Sequence, residues 1–372
     1  RYRNENVAIC VLVDVSARVK MEESLQEMAQ AAEQASQSKS MFLATVSHEL
    51  RTPLYGIIGN LDLLQTKELP KGVDRLVTAM NNSSSLLLKI ISDILDFSKI
   101  ESEQLKIEPR EFSPREVMSH ITANYLPLVV RKQLGLYCFI EPNVPVALNG
   151  DPMRLQQVIS NLLSNAIKFT DIGCIVLHVS RDDDYLSIRV RDTGVGIPAK
   201  EVVRLFDPFF QVGTGVQRNF QGTGLGLAIC EKLISMMDGD ISVDSEPGMG
   251  SQFTVRIPLY GAQYPAKKGL DGLARTRCWL AVRNASLCQF VENSLTRNGV
   301  EVMRYEGQTP ASDDMLITDD ALEQPWQGRA AVIFCRRHIG IPLERVPGEW
   351  VHSVASPHEL PALLARIYRI EL

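Results

Sequence analysis

Between positions 73 and 94, apolar or small residues recur at alternating spacings of four and three. The positions are Val73, Val77, Met80, Ser84, Leu87, Ile91 and Ile94. This heptad spacing predicts a helix that packs along one seam against a partner helix. Four further residues widen the apolar stripe: Leu76, Leu88, Ile90 and Leu95. Because one partner helix cannot cover so wide a stripe, we expect a helical hairpin that pairs with a second hairpin in a four-helix dimer. The alternative is a monomeric hairpin packed on the next domain.

The first helix of that hairpin is predicted upstream. Residues 20–40 consist mainly of Glu, Gln, Ala, Met and Ser without Gly or Pro, which is a strongly helix-forming composition. Residues 41–65 continue the helix until TKELPKG at 66–72. Pro53 lies inside this helix, although a proline there costs about 3 kcal/mol because it has no N–H for the carbonyl of Glu49. We therefore expect a bend one turn past His48, which would let another domain reach this histidine.

Beyond the hairpin the chain changes character, because strand-like and helix-like segments alternate and Gly and Pro mark the joins. The predicted architecture is multidomain, with one α part and two α/β parts. YGAQYPAKKGLDG at 260–272 has the composition of a linker. The segments are the β-rich end of a preceding PAS-like or sensor domain (1–19), a helix (20–40), the hairpin (41–106), an α/β domain (107–260), a linker (261–272) and a smaller α/β unit (273–372).

Composition excludes several classes of function. The net charge is −5 and no run of Lys and Arg is dense enough for a nucleic-acid surface, so we predict no direct nucleic-acid partner. The seven cysteines are scattered without a CxxC pair, which disfavours a disulfide framework or a zinc site and fits a reducing cytoplasm. No apolar stretch reaches the length of about 18 residues that a membrane span needs. Since the chain does not begin with Met, we expect a piece of a longer protein whose membrane spans lie outside it.

Two glycine-rich stretches point to a bound anion. DTGVGIP at 192–198 follows a predicted strand, and QGTGLGLAIC at 221–230 opens a predicted helix at about Leu225. Closely spaced glycines let backbone N–H groups approach an anion, and a helix directs its positive end at it. The second stretch is therefore predicted to cradle phosphate. The sequence holds no Walker A loop and no protein-kinase motif set, and Pro198 removes an N–H that a Rossmann turn would need.

Polar side chains accompany these turns. Asn161, Asn165 and Lys168 share one face of the predicted helix 152–169. Amide oxygens suit Mg²⁺ and an ammonium group suits phosphate, although an ordinary solvated helix face would have the same pattern. Asp192, at the start of the first glycine-rich stretch, either accepts a hydrogen bond from an exocyclic amine such as that of adenine or simply forms a turn.

Five motifs together resemble the bacterial sensor histidine kinase family. They occur in the order and spacing of its H, N, G1, F and G2 boxes: SHELRTPL (47–54), NLLSNAIKFT (161–170), DTGVGIP (192–198), LFDPFFQ (205–211) and GTGLGLAIC (222–230). The wider sequence is similar to the hybrid kinases of the enterobacterial envelope-stress and capsule phosphorelay.

This resemblance implies the fold and the partners. Residues 41–106 would form a dimerisation and phosphoacceptor domain behind the signalling helix 20–40. Residues 107–260 would form a catalytic domain of the gyrase–Hsp90–histidine kinase–MutL type, which binds ATP and Mg²⁺. The chain would be the cytoplasmic portion of a bacterial inner-membrane protein. Its partners would be its own receiver domain, missing here, and then histidine phosphotransfer and response-regulator proteins.

The resemblance also implies roles for single residues. His48 matches the phosphorylated histidine, Glu49 matches the residue that takes or orients its proton, and Thr52 matches the residue that supports dephosphorylation by placing water. The nucleotide site is matched by the adenine-binding acid Asp192, by the Mg²⁺ ligands Asn161 and Asn165, and by the phosphate or nucleotide contacts Lys168, Gly194, Gly196, Arg218, Gly222, Thr223, Gly224, Leu225 and Gly226.

Residues 273–372 resemble a response-regulator receiver without its chemistry. Five strands are predicted at 278–282, 300–305, 315–318, 330–335 and 350–355, with helices at 286–298 and 358–368. Arg283 and Asn284 stand where a receiver has its acidic pair, and Ser356 stands where it has a lysine. Asp319 and Asp320 follow the third strand but lack partner acids for Mg²⁺. We therefore predict a non-catalytic receiver-like module in which short loops replace most helices.

The leading hypothesis is an ATP-dependent protein-histidine kinase that autophosphorylates His48 and passes the phosphoryl group to a receiver aspartate. One rival is an ATP-driven conformational protein without phosphotransfer, which has no use for SHELRTPL. Another is a signalling scaffold that has lost catalysis, although no motif is eroded. Net phosphatase output in some signalling states is a further hypothesis, which rests on Thr52.

Overall fold

The computed structural model describes residues 16–66, 72–212, 223–264, 276–320, 326–335, 338 and 342–368. The chain divides into two compact units, Arg1–Lys106 and Ile107–Leu372. The division falls at the end of the predicted hairpin. Within the described ranges, no helix is both long and apolar enough to cross a membrane.

The first unit is a helical hairpin. Its helices are α1 (Ser16–Gln65) and α2 (Val73–Glu101). The segment 1–19 was expected to end a preceding domain, but its last residues from Ser16 onward are helical, because they continue directly into the helix-forming composition downstream. Residues 1–15 lie outside the described part of the chain. α1 continues through Pro53 rather than ending there.

The two helices bury only part of the apolar stripe. Buried positions are Leu54 and Leu61 on α1 and Val77 and Ile91 on α2. By contrast, Leu76, Met80 and Leu87 stay 65%, 54% and 44% exposed. The stripe that the sequence predicted is therefore wider than the single chain can cover.

The second unit begins with an α/β sandwich. Its five-stranded sheet has the order β2-β4-β5-β7-β6 and is antiparallel except for the β2–β4 pair. The strands are β2 (Gly135–Ile140), β4 (Cys174–Asp182), β5 (Tyr185–Asp192), β6 (Asp240–Glu246) and β7 (Gly250–Pro258). A separate ladder pairs β1 (Arg110–Phe112) with β3 (Leu148–Gly150). The helices are α3 (Pro114–Arg131), α4 (Pro152–Phe169), α5 (Ala199–Val202) and α6 (Gly226–Met236).

Local sequence signals fix where α3 and α4 begin. Ser113 accepts a hydrogen bond from the backbone N–H of Glu116, and Asp151 accepts from Met153 and Arg154. A proline follows each cap in the first turn, where its missing N–H costs nothing. The apolar face of α4 is buried through Leu155, Val158, Ile159, Leu162, Leu163, Ala166 and Ile167. This packing leaves the polar residues Asn161, Asn165 and Lys168 of α4 at the edge of the core.

The remaining part is a six-stranded sheet with the order β12-β13-β11-β10-β8-β9, parallel except between β12 and β13. Its strands are β8 (Arg277–Ala281), β9 (Glu301–Arg304), β10 (Met315–Thr318), β11 (Ala330–Cys335), β12 (Leu343–Val346) and β13 (Glu349–Ser353). Its helices are α7 (Ala285–Arg297), a 3₁₀ turn (Pro357–Glu359) and α8 (Leu360–Tyr368).

The five predicted strands and the two helices of this receiver-like domain are confirmed. The hairpin strand β12 was not predicted, because its sequence LERV is short, half charged and exposed along its length. Between β9 and β13 the described residues contain no helix, which agrees with the prediction that loops replace helices. The predicted multidomain α and α/β fold is confirmed.

The linker prediction needs a correction at its start. Gln263 exchanges two backbone hydrogen bonds at 2.8 Å, donating to Ala147 and accepting from Val146. Residues 261–264 therefore belong to the sandwich, because this pairing extends its edge past the predicted boundary at 260. Residues 265–275 lie outside the described part of the chain. The sandwich and the receiver-like domain nevertheless share one hydrophobic core.

Candidate nucleotide site and phosphoacceptor histidine

Asp192 ends β5 and carries the buried carboxylate of the candidate site. Its side chain is 6% exposed, and its Oδ1 accepts a hydrogen bond of 2.8 Å from the N–H of Gly194. Burial raises the pKa of this carboxyl, while hydrogen bonds from the backbone of Gly194 and Ser251 act in the opposite direction. A carboxylate that has lost its water gains most from a ligand group that donates a hydrogen bond.

The glycines after Asp192 let the loop pass close to its neighbours. A Cβ at Gly194 would clash with the carbonyl of Phe169 at the end of α4. Gly196 has a φ of +68°, and a Cβ there would clash with the carbonyl of Glu246. The loop therefore contacts the C-terminal end of α4. The same helix carries the predicted site residues Asn161, Asn165 and Lys168.

The three predicted α4 side chains take different contacts. Asn161 donates a hydrogen bond of 3.2 Å to Cys230 Sγ on α6, and a Cβ at Gly226 would lie 2.8 Å from its Oδ1. Asn165 is half-buried, and its side chain makes no hydrogen bond within the described ranges. The Lys168 ammonium lies 5.0 Å from the centre of the Phe169 ring. Asn161 thus lies beneath the start of α6, and Asn165 keeps a free amide.

The second glycine-rich stretch meets the LFDPFFQ segment. Phe209 donates a backbone hydrogen bond of 3.0 Å to Gly224, whose φ is +72°. Thr223 accepts a bond of 3.1 Å from the N–H of Leu225, and α6 begins at Gly226. The helix start predicted at about Leu225 is confirmed. Two predicted contacts, Arg218 and Gly222, lie outside the described residues.

Sequence reasoning missed the side chains that hold the first glycine loop in place. Ser245 on β6 accepts a bond of 2.8 Å from the N–H of Ile197 and lies 2.9 Å from Ser251 Oγ on β7. Thr193 accepts a bond of 3.0 Å from the N–H of Cys174. The only signal for the two serines is a polar residue inside a strand, which is common on the solvated face of any sheet, and Thr193 is a polar residue in a turn.

His48 lies on α1 with its side chain 80% exposed. Its Nδ1 is 4.0 Å from Glu49 Oε1, so the neighbouring carboxylate does reach sideways to the ring. Thr52 lies four residues after His48 on the same helix, and its hydroxyl donates a bond of 3.2 Å to the His48 carbonyl. An exposed imidazole with an adjacent carboxylate is accessible to a reacting partner from solution.

In the receiver-like domain, Asp319 and Asp320 contact Arg283 and Asn284, the two residues that stand in place of the receiver's acidic pair. Asp319 accepts bonds of 2.9 and 3.1 Å from the backbone N–H groups of Arg283 and Asn284. The Arg283 guanidinium pairs with Asp320. Both carboxylates therefore bind the turn between β8 and α7.

Comparison with known proteins assigns the helical hairpin and the α/β sandwich to known families. The sequence of residues 38–103 matches the protein family His Kinase A (phospho-acceptor) domain. The sequence of residues 150–261 matches the family Histidine kinase-, DNA gyrase B-, and HSP90-like ATPase. Over all 372 residues the chain is 91% identical to the sensor histidine kinase RcsC of Salmonella typhi, and 90% identical to that of Escherichia coli K12. The chain belongs to the sensor histidine kinases. It spans 39% of the length of each of these relatives.

Other sensor histidine kinases match a smaller part of the chain. GacS of Pseudomonas syringae is 39% identical over 306 residues, which cover 76% of this chain and 33% of GacS. The crystal structure of full-length ShkA in complex with AMPPNP superimposes with a TM-score of 0.63 at 27% identity. This match covers 78% of this chain and 63% of ShkA. The model of the RcsC Alpha-Beta-Loop matches residues 278–368, which is the receiver-like domain with loops in place of helices.

Proposed function

We propose that this chain is an ATP-dependent protein-histidine kinase that phosphorylates itself on His48 and feeds a phosphorelay through a receiver aspartate. The observation that carries the proposal is the combination of an exposed histidine in the phosphoacceptor hairpin with two glycine turns and a buried acid in the ATPase sandwich. A phosphate cradle alone would also suit an ATP-driven conformational protein.

The described residues fit an adenine nucleotide. The buried Asp192 would accept a hydrogen bond from the exocyclic amine of adenine. The glycine turn at Gly224 leads into the N-terminus of α6, whose positive end suits a phosphate. Lys168 would supply a further positive charge.

Mg²⁺ fits the free amide that α4 presents. Asn165 has an uncommitted amide oxygen, and Asn161 uses its nitrogen rather than its oxygen in the bond to Cys230. Oxygen ligands of this kind suit Mg²⁺, which shares the nucleotide phosphates and would neutralise part of their charge.

The proposed reaction uses a neutral imidazole. Nε2 of His48 attacks the γ-phosphorus of ATP, an N–P bond forms, and the P–O bond to ADP breaks. The proton on Nδ1 passes to Glu49, whose carboxylate lies 4.0 Å away. In this tautomer Nε2 carries the lone pair that acts as the nucleophile.

The proposal also includes a homodimer, a cellular location and a phosphatase output. The exposed seam on α2 supports a homodimer through residues 41–106. We place the chain in the cytoplasmic portion of a bacterial inner-membrane protein that acts in envelope-stress and capsule regulation. Its receiver, histidine phosphotransfer and response-regulator partners follow from the family. Thr52 would support phosphatase output in some signalling states.

The fate of the γ-phosphate separates the kinase from its main rival. Incubation of the chain with γ-labelled ATP should leave label on the protein. An ATP-driven conformational protein would release the label only as inorganic phosphate, and this result would reject phosphotransfer.

A further inference from the structure

The strand β2 of the ATPase sheet is buried on both faces. All six of its residues are buried, although it lies at the edge of the sheet. Successive side chains of a strand point to opposite faces, so Tyr137 and Phe139 lie on the face opposite Leu136, Cys138 and Ile140. Tyr137 and Phe139 belong to the core of the receiver-like domain. We call these two residues the docking face.

The receiver-like domain covers the docking face with apolar side chains. The rings of Phe139 and Phe290 lie 4.9 Å apart and are tilted by 34°. The same core contains Leu287 and Val291 of α7 and Leu360 of α8. The packing is that of a domain interior, so docking removes two large aromatic side chains from water.

A histidine makes the polar contacts at the margin of this face. His358, in the 3₁₀ turn, places Nδ1 3.3 Å from the carbonyl oxygen of Cys138 and Nε2 3.4 Å from the hydroxyl of Ser119 on α3. Because a carbonyl only accepts, Nδ1 carries the proton and Nε2 accepts from Ser119. The neutral ring therefore satisfies both partners. Nearby, Arg297 of α7 pairs with Glu141 at 3.4 Å.

We propose that His358 holds the receiver-like domain on the docking face as a neutral side chain, and that its protonation favours release of the domain. Protonation would make Nε2 a donor and would add a positive charge to a partly buried site that already faces Arg115 of α3. The separated domain would expose the ring to water, where it accepts a proton readily. Docking and proton binding therefore oppose each other.

The direction and the range of the effect follow from the groups around the ring. Burial and, to a smaller extent, the charge of Arg115 lower the pKa of His358 from 6.5 to about 4, although the hydrogen bond to the Cys138 carbonyl acts in the opposite direction. Docking is therefore strongest above pH 6.5 and weakens as the pH falls toward 4, by up to about 300-fold at ten-fold per pKa unit.

Other titratable groups near His358 have shifted pKa values of their own. The pKa of Glu141 is lowered, first by its hydrogen bond to His178. Burial raises the pKa of Glu359, so its titration opposes the His358 effect. The pKa of His352 falls to about 3 inside the receiver-like domain.

The test follows the distance between the two domains in the full chain. Fluorophores on unnatural residues at the exposed positions Asp184 and Thr309 leave the seven native cysteines in place. Energy transfer, recorded in graded urea from pH 7.5 to 5, gives the docking equilibrium at each pH. We expect docking to weaken by about 30-fold between pH 7.5 and 5. An equilibrium that does not change over this range would overturn the proposal.

Matched variants assign the effect to one side chain. His358→Gln keeps a hydrogen-bonding amide but cannot titrate, so its docking should vary little with pH. His120→Gln removes an exposed histidine next to Ser119 and should behave as the parent chain does. Arg297→Gln should weaken docking a few-fold at every pH with the slope unchanged. If His358→Gln kept the full slope, another group would control docking and the proposal would be wrong.

Discussion

The backbone N–H of Phe209 donates a hydrogen bond of 3.0 Å to the carbonyl of Gly224. These residues flank 213–222, so this contact joins the described chain on the two sides of that segment. A substitution at Gly224 tests whether this contact with Phe209 is needed for nucleotide binding.

Gly224→Ala should weaken nucleotide binding about 10- to 100-fold while the fold persists. Gly224 has a φ of +72°, and its new Cβ would lie 2.7 Å from the Phe209 carbonyl carbon. The strain should amount to about 1–3 kcal/mol and displace the turn. Calorimetric titration with a non-hydrolysable ATP analogue measures the effect. Gly248→Ala is the matched control, because Gly248 has a φ of +81° with nothing within 4 Å. Equal losses in both variants would contradict the assignment of Gly224 to the site.

Asp192→Asn should lower nucleotide affinity at least 10-fold without lowering the melting temperature. The amide keeps an oxygen for the N–H of Gly194 but no longer provides the charged acceptor that adenine would use. Because burial raises the pKa of Asp192, the uncharged side chain should leave the nucleotide-free protein equally or more stable. Thermal melting and calorimetry separate the two effects. Asp244→Asn, at an exposed position of β6, should change neither, and an unstable Asp192→Asn variant would indicate a purely structural acid.

The same pKa shift predicts how binding by the parent chain depends on pH. The ionised carboxylate is the stronger acceptor for an amine, because protonation turns one of its two oxygens into a donor. Affinity should therefore fall in acid at a higher pH than an ordinary aspartate with a pKa of 3.8 would produce, and this dependence should vanish in Asp192→Asn.

Leu87→Glu should dissociate the proposed homodimer. Leu87 remains 44% exposed on the hairpin and lies on the heptad seam. A charge there would be buried without a partner in a four-helix bundle, at a cost of several kcal/mol. Sedimentation velocity gives the mass of each species. The control is Asn82→Glu, an equal charge change at an exposed position five residues away. A parent chain that sediments as a monomer would support the monomeric hairpin instead.

Asp319→Ala should lower the stability of the receiver-like domain without changing its phosphorylation. The carboxylate accepts two backbone hydrogen bonds, so its loss should cost about 1–3 kcal/mol. Urea unfolding measures this cost, with the 85% exposed Asp313 as the control position. The full chain should carry no hydroxylamine-sensitive phosphoryl group in either variant. Such a group, lost on changing Asp319, would show a working receiver.

The sequence predicted elements best where local signals and burial agree. The helix 152–169 follows from a capping aspartate, a proline in the first turn and one continuous apolar face, and the structure has the same bounds. The five strands of the receiver-like domain follow from short apolar runs between turn residues. Five ordered motifs located the glycine turns and His48 because they are local in sequence.

Features that depend on tertiary contacts were not predictable in this way. Ser245 and Thr193 support the first glycine loop through contacts that join distant parts of the chain. β2 has the sequence GLYCFI, whose continuous apolar character does not reveal that a second domain covers Tyr137 and Phe139. The boundary at 260 was wrong because the pairing of Gln263 with Ala147 leaves no local signal.

The central claim is that His48 is the phosphoacceptor. The chain and its His48→Gln variant are incubated with γ-labelled ATP and Mg²⁺, and the labelled protein is then treated with acid or base. We expect label on the parent chain that acid removes and base does not, as a phosphoramidate behaves, and no label on His48→Gln, with nucleotide affinity unchanged between the two. His120→Gln should label as the parent chain does. Full labelling of His48→Gln, or label on the parent that base removes, would contradict the account.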